Sequence, residues 1–390
     1  MAHFGDVQSE VYLRGLAGER PELPMTADGL EHAARGALAA EVFGYVAGGA
    51  SSERTIAANA AAFARYRIVP RMMRAVTERD LSTTLLGTAM AAPVLTAPVA
   101  VLGMVHPDGE RAVTRAAAAM GLTSVLSTAA STSIEDVAAA VPDAERWFQL
   151  YWPLDPELAE SLVRRAEAAG NKAIVVTVDT WVLGWRPRDL ELAHLPFLRH
   201  EGLANYLSDP VFRSRLPEPP EASDEARQLA VLTCLGLFGN PSLRFSDLAL
   251  LREWTSLPIL VKGICHPDDA RAALDAGADG VVVSNHGGRQ VDGARGALDC
   301  LPGVVAAVGE QGPVLLDSGV RCGADIIIAL ALGARAVLLG RPWVYGLGLA
   351  GERGVTHVLR SMLGDLDLTL ALSGHARPSE LSAETIVREG

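Results

Sequence analysis

The sequence predicts an α/β fold of the (β/α)8 TIM-barrel type, with an N-terminal helical extension and a long lid insertion after the fourth strand. Three observations carry this reading. From about residue 92, short apolar runs alternate with Ala-rich amphipathic stretches, the pattern of βα units around a parallel sheet. Eight such runs can be counted, at 93–98, 122–127, 147–151, 173–178, 258–262, 280–284, 313–317 and 336–340. Polar residues recur where most of them stop, as in barrels that carry their reactive groups on one rim; an open doubly wound sheet would gather its ligand at a single switch point.

The chain has 390 residues, 49% of them apolar and 21% charged, enough for one elaborated barrel. We read residues 1–390 as a single domain: a helical preface over 1–90, a barrel over 91–350 interrupted by the insertion at 187–246, and C-terminal helices over 351–390. The 34 basic and 46 acidic residues give a net charge of −12, which disfavours a nucleic-acid or anionic-membrane partner. No apolar run reaches the ~18 residues that span a bilayer, and the N-terminus lacks a basic start followed by an apolar segment, so a cytoplasmic location is expected. Cys234, Cys265, Cys300 and Cys322 are irregularly spaced; buried, reduced thiols are expected, and no metal site.

Taken in order, the strand ends become progressively more informative. The third run, WFQLY, offers the Gln149 amide to a heterocycle and the Tyr151 hydroxyl to a substrate, although a buried tyrosine is more often core. The fourth continues as TVDTWVLGWRPRD, where Asp179 could orient an imidazole or merely cap a helix, and Arg186 could bind a carboxylate. The insertion mixes aromatic segments (PFLRH, ANYLSDPVF) with a polar stretch, PEPPEASDEARQ, expected to be mobile. It lacks the sustained apolar or basic-amphipathic character of a membrane anchor.

The fifth run ends in Lys262, whose ammonium at a barrel mouth could form a Schiff base or face a bound anion. The sixth breaks from VVVS into NHGGRQ, placing His286 where a general base belongs and Arg289 where a carboxylate could be held. The seventh and eighth end as LLDSGVRCGAD and LLGRPW. These put Gly319, Arg321, Gly340 and Arg341 in the two loops that often cradle phosphate in barrels.

Taken together, YVAGGA, APVA, LSTAAS, FQLY, TVDT with GWR, LVKG, SNHGGRQ, DSGVRCGAD and GRP resemble, in order, the motifs of the FMN-dependent 2-hydroxy acid oxidase family over nearly the whole chain. Within the family, GDVQSEVYLRGL, WVLGWRPRDL, NYLSDPVF and GLFG are similar to the lactate 2-monooxygenase branch. The resemblance implies His286 as the base, Asp179 supporting it, and Tyr151 among the catalytic groups. It implies substrate contacts from Tyr45, Tyr151, Arg186 and Arg289. It assigns FMN to Pro98, Val99, Ala100, Ser127, Gln149, Thr177, Lys262, Ser284, Asp317, Gly319, Arg321, Gly340 and Arg341.

The implied reaction is the oxidation of a small (S)-2-hydroxy acid, L-lactate or a close relative, by O2. The products would be acetate, CO2 and water if the intermediates stay enclosed. An oxidase releasing keto acid and H2O2, or a dehydrogenase with another acceptor, are the alternatives. A homo-oligomer, tetrameric or higher, is also implied. Two positions depart from the family pattern: Ala100 replaces a Thr or Gly and could alter oxygen access, and Ala129 replaces a bulky aromatic, leaving room for a larger substrate side chain.

Overall fold

The structure is a computed structural model that describes residues 3–389. Its centre is a closed parallel barrel of eight strands: β1 (Val94–Thr96), β2 (Thr123–Ser127), β3 (Arg146–Leu150), β4 (Ile174–Thr177), β5 (Ile259–Ile264), β6 (Gly280–Val283), β7 (Val314–Leu316) and β8 (Val337–Leu339). All eight coincide with the apolar runs of the sequence. Their residues are almost wholly buried because the barrel fills one face and helices cover the other.

The two-residue period of a strand sorts these residues into layers. Leu95, Val125, Trp147, Val175, Leu260, Val282, Leu315 and Leu338, one from each strand, fill the interior as one apolar cluster. Two residues further along each chain lie Ala97, Ser127, Gln149, Thr177, Lys262, Ser284, Asp317 and Gly340. The barrel therefore changes from apolar to polar within one period, and this second set opens toward the loops. β5 is irregular at this level, with its register to β6 shifting between Lys262 and Ile264 around Gly263.

The preface contains four helices, Asp6–Leu16, Ala27–Ala37, Ala40–Ala47 and Arg54–Ala64, but it is not wholly helical. A hairpin, Thr83–Leu85 with Thr88–Met90, packs Leu85 and Met90 against the inner core. The C-terminal segment also differs from the expected run of helices. One helix, Arg341–Leu372, continues directly from β8 with a break at Ala350 and Gly351, and a terminal strand, Ile386–Arg388, pairs antiparallel with Tyr66–Ile68. The 351 boundary thus falls at a kink inside a helix.

The insertion is more ordered than its composition suggested. It forms short helices at Pro187–Glu191, Ala204–Leu207 and Pro210–Ser214 and a longer one at Asp224–Leu237. The DEARQ part of the polar stretch opens that longer helix, because the Ser223 side chain accepts the Ala226 N–H and two acids occupy its first turn. Buried side chains fasten the insertion down. Asn205 donates to the carbonyls of Ser127 and Thr128 and accepts from the Ile134 N–H, and Asp209 takes hydrogen bonds from Ser161 and Arg165. No described helix is long and apolar enough to cross a membrane.

Candidate active site

A cavity over the loop end of the barrel is lined by Tyr45, Pro98, Val99, Ala100, Tyr151, Arg186, Lys262, His286, Arg289, Asp317, Gly319, Arg321, Gly340 and Arg341. All of these were predicted from the sequence. The other predicted residues, Ser127, Gln149, Thr177 and Ser284, are buried at the inward positions beneath it, and Asp179 stands behind His286. Thr177 additionally borders a second cavity behind Tyr151.

His286 starts the turn after β6 with a left-handed backbone, φ 56°, a conformation uncommon for a residue with a side chain. Gly287 and Gly288 follow with φ 65° and 76°. A side chain on Gly288 would strike Ile56 of the preface at 2.8 Å, so the second glycine lets the preface close on this loop. Paired amide hydrogen bonds between Asn59 and Asn285, at 2.9 and 2.7 Å, tie the loop to the same preface helix. The Ser318 hydroxyl accepts the Gly287 N–H and donates to Asp317.

His286 Nδ1 lies 2.8 Å from Asp179 Oδ1 and 3.0 Å from Thr180 Oγ1. That leaves Nε2 as the nitrogen able to reach a ligand. Burial pushes the imidazole below its ordinary value, against the pull of Asp179 and with a further push from Lys262 and Arg186, so it rests neutral at neutral pH. Burial raises Asp179, but the charges of His286 and Lys262 and the two hydrogen bonds outweigh it and hold the carboxyl at about 2. Asp179 is therefore an anion at neutral pH, and it gains a full ion pair when the imidazole is protonated.

Lys262 is 4% exposed, and its ammonium lies 3.1 Å from both Asp317 Oδ2 and Ser284 Oγ. Burial opposes its charge, yet Asp317 and Asp179 raise its pKa above the usual lysine value. Ser284 Oγ also accepts the backbone N–H of His286 at 3.0 Å, so one hydroxyl links the Lys262 ammonium to the main chain that carries the imidazole. The ion pair with Asp317 excludes the Schiff-base alternative, which needs a lysine driven to its neutral form.

Arg289 is stacked over the Tyr45 ring at 4.9 Å and donates to the Tyr45 and Gly48 carbonyls. Arg186 donates to the Arg289 carbonyl and to Gln290 Oε1. Burial and then the charge of Arg186 pull Arg289 down to about 9, with Asp189 and Tyr45 only partly offsetting them; two guanidinium groups that repel each other favour an anion between them. Arg341 donates to the Val46, Gly48 and Gly287 carbonyls, so it fastens the preface to the His286 loop as well as lining the cavity. Among the described lining residues five are cationic and only Asp317 is acidic, a local reversal of the chain's −12 charge.

Several lining residues carried no signal that singled them out. Leu183, Phe197 and Phe238 close the cavity from the β4 loop and the insertion; Phe238 lies 5.1 Å from Tyr151 and 5.7 Å from Phe197, ring centre to ring centre. Thr180 and Ser318 were overlooked although each adjoins a chosen aspartate. Burial pushes the Tyr151 hydroxyl up to about 12, so it stays a hydrogen-bond donor.

The model of the FMN-dependent dehydrogenase family matches residues 34–388. The L-lactate oxidase of Lysinibacillus sphaericus is 42% identical over 379 residues, covering 97% of this chain and 96% of its own. The 2-hydroxyacid oxidase 1 of Homo sapiens is 42% identical over 361 residues, 92% of this chain and 95% of the relative. Among solved structures, a soluble mutant of the membrane-associated (S)-mandelate dehydrogenase from Pseudomonas putida superimposes with a TM-score of 0.82 at 36% identity, covering 94% of this chain and 99% of that one.

Proposed function

The chain belongs to the FMN-dependent dehydrogenase family, and on that premise we propose that it oxidises an (S)-2-hydroxy acid, L-lactate or a close relative, with O2 as the electron acceptor. FMN is its cofactor, and the residues present suit it. Gln149 Nε2 is a buried donor with no partner among the described residues, as expected where an amide waits for a heterocycle. Gly340 and Arg341 open a long helix at the cavity beside Arg321, a fitting place for a phosphate. A side chain at Gly319, where φ is 105°, would meet Asn59 at 3.1 Å, so glycine leaves this turn its close approach. When bound, FMN supplies the acceptor for the two electrons leaving the substrate.

The protein's own residues do the rest. Arg186 and Arg289 hold the substrate carboxylate, with Tyr45 and Tyr151 beside it, and so present the hydroxyl-bearing carbon to His286. His286 takes the proton at Nε2, and Asp179 and Thr180 fix the tautomer and orientation through Nδ1. Lys262, already charged, favours negative charge accumulating above the inward ring. The observation that carries this reading is the His286 imidazole, anchored at Nδ1 by Asp179 at 2.8 Å and presented to a cavity that also holds two arginines.

Two product readings follow. Release of the keto acid and H2O2 is favoured by likeness to proteins named as oxidases. Retention, giving acetate, CO2 and water, is favoured by the roof of Leu183, Phe197 and Phe238. Aerobic turnover of the flavin-loaded protein with L-lactate, with and without catalase, separates them. Acetate that persists with catalase identifies retention; pyruvate with peroxide identifies release. Failure of L-lactate and larger 2-hydroxy acids to bleach the flavin without O2 would overturn the common reading.

A further inference from the structure

The GLFG segment, residues 236–239, brings the insertion back toward the barrel, and only its phenylalanine lines the candidate active site. The chain can turn there because Gly239 has φ 83°, and a side chain at that position would strike the Trp181 carbonyl. Asn240 Oδ1 then accepts the Ser242 N–H at 3.1 Å and fixes the next turn. This returning segment roofs the second cavity, of about 310 Å³, over the ends of β4 and β5. Its size suits a small molecule.

The floor and the rim of this cavity differ. Trp152, Val176, Leu248 and Ile264 are buried in the floor, and Trp152 packs on the Trp254 ring at 5.5 Å. The charged residues lining it are Arg244 and Asp269, opposite in sign and both exposed. The first cavity instead gathers five cationic residues. A carboxylate is therefore favoured in the first cavity and an apolar chain in the second.

Tyr151 and Thr180 line both cavities and separate them. Thr180 is fixed by Asp179 and His286. Tyr151 is half-buried and rests on the Phe238 ring at 5.1 Å, and its hydroxyl has no hydrogen-bond partner among the described residues. The movable part of the partition is thus one aromatic ring.

We propose that the second cavity is a subsite for the alkyl chain of 2-hydroxy acids longer than lactate, entered when the Tyr151 ring turns aside. Arg186 and Arg289 keep the carboxylate, His286 keeps the hydroxyl, and the chain passes Tyr151 to lie against Leu243, Leu248 and Ile264. Each methylene taken out of water there tightens binding by about fourfold, less what turning the ring costs. This subsite presupposes the hydroxy acid oxidation proposed above and extends its substrate class to medium-chain acids.

The test compares L-lactate with (S)-2-hydroxyoctanoate in anaerobic reduction of the flavin-loaded protein, reading the apparent Kd from the concentration dependence of bleaching. The longer acid should bind about 10-fold more tightly. Leu243→Trp and Leu248→Trp fill the cavity from two positions. Each should weaken 2-hydroxyoctanoate by about 10-fold, the discrimination that a few lost apolar contacts supply, and leave L-lactate within about twofold. Octanoate has no hydroxyl to oxidise and tests the subsite without turnover: it should perturb the flavin absorbance of the unaltered protein and bind about 10-fold more weakly in Leu243→Trp. Binding of 2-hydroxyoctanoate no tighter than that of lactate, or variants that weaken both acids equally or neither, would overturn the subsite. Failure of both hydroxy acids to bleach the flavin counts instead against the hydroxy acid reading, while the octanoate titration still decides whether the cavity takes an alkyl chain.

Discussion

The inward ring at the strand ends and the roof supplied by the insertion enclose one cavity, yet they are held by different forces. Ring residues sit on strands paired on both sides, and their direction is set by the alternation of the chain: Lys262, Ser284 and Asp317 meet within 3.1 Å because β5, β6 and β7 are neighbours. Roof residues project from short helices and loops, and what fixes them is a few buried anchors such as Asn205 and Asp209. Charge and proton chemistry are concentrated in the ring and its loops; Phe197, Phe238 and Leu183 offer only apolar surface. The division suggests that the ring sets whether the reaction occurs and the roof sets which substrate enters and which product leaves.

The strongest way to break this division is to remove the base. His286→Ala should lower kcat by about 10³-fold, within the range of general-base catalysis, while FMN content is unchanged. Normal anaerobic flavin reduction in the variant would sink the assignment. A finer measurement follows the pH dependence of kcat/KM. Because burial favours the neutral imidazole, the plateau should extend below the ordinary histidine value of about 6.5, with activity lost only as the pH falls through the lower value. Asp179→Asn removes the charge that raises His286, so the acid limb should move further down as the plateau drops. A drop with no movement would mean that Asp179 only supports the fold.

Next in size is the carboxylate clamp. Arg289→Lys keeps the charge but loses the fork-shaped donor, and a charge-assisted hydrogen bond of ~1.5–3 kcal/mol corresponds to a rise of about 10- to 100-fold in KM. An unchanged KM would place the substrate carboxylate elsewhere. On the roof, Phe238→Ala should leave the maximal rate of flavin reduction nearly intact. It should weaken binding of substrates with apolar side chains by about 10-fold, the cost of one lost apolar contact surface. If retention beneath the roof governs the products, the same variant shifts them from acetate toward pyruvate and peroxide. A large loss of reduction rate instead would erase the distinction between ring and roof.

The same division explains what could be read from the sequence. Strands buried on both faces leave continuous apolar runs, and each run ends abruptly in the residue that the two-residue period turns inward, so β1 to β8 and most of the ring were visible. Asp179 and His286 are separated by more than a hundred residues, but both lie just beyond strand ends, which made them a plausible pair before any coordinates. The roof had no comparable rule. Phe197 and Phe238 belong to segments whose direction depends on where Asn205 and Asp209 are fastened, and a buried asparagine looks like any other in the sequence. PEPPEASDEARQ looked mobile because composition outweighed one Ser223 cap. Thr180 and Ser318 were legible in principle, as hydroxyls adjoining aspartates, but their partners across the barrel end could be found only in three dimensions.

Asn205 is the place where ring and roof are joined, and it gives the smallest but most discriminating expectation. Its side chain is fully buried and spends both ends across the boundary, donating to the Ser127 and Thr128 carbonyls and accepting from the Ile134 N–H. Asn205→Ala strands those three backbone groups, at a cost of about 1–3 kcal/mol, or roughly 2–6 °C in Tm for a domain of this class or somewhat less for a longer chain. The inward residues are held by their own strands, so flavin reduction should change by less than about threefold, a negligible fraction of the range open to a catalytic group. His286→Ala should do the reverse, costing activity with little loss of Tm. If Asn205→Ala instead abolished reduction while the protein remained folded, the roof would be setting the geometry of the base, and the two regions would have to be treated as one.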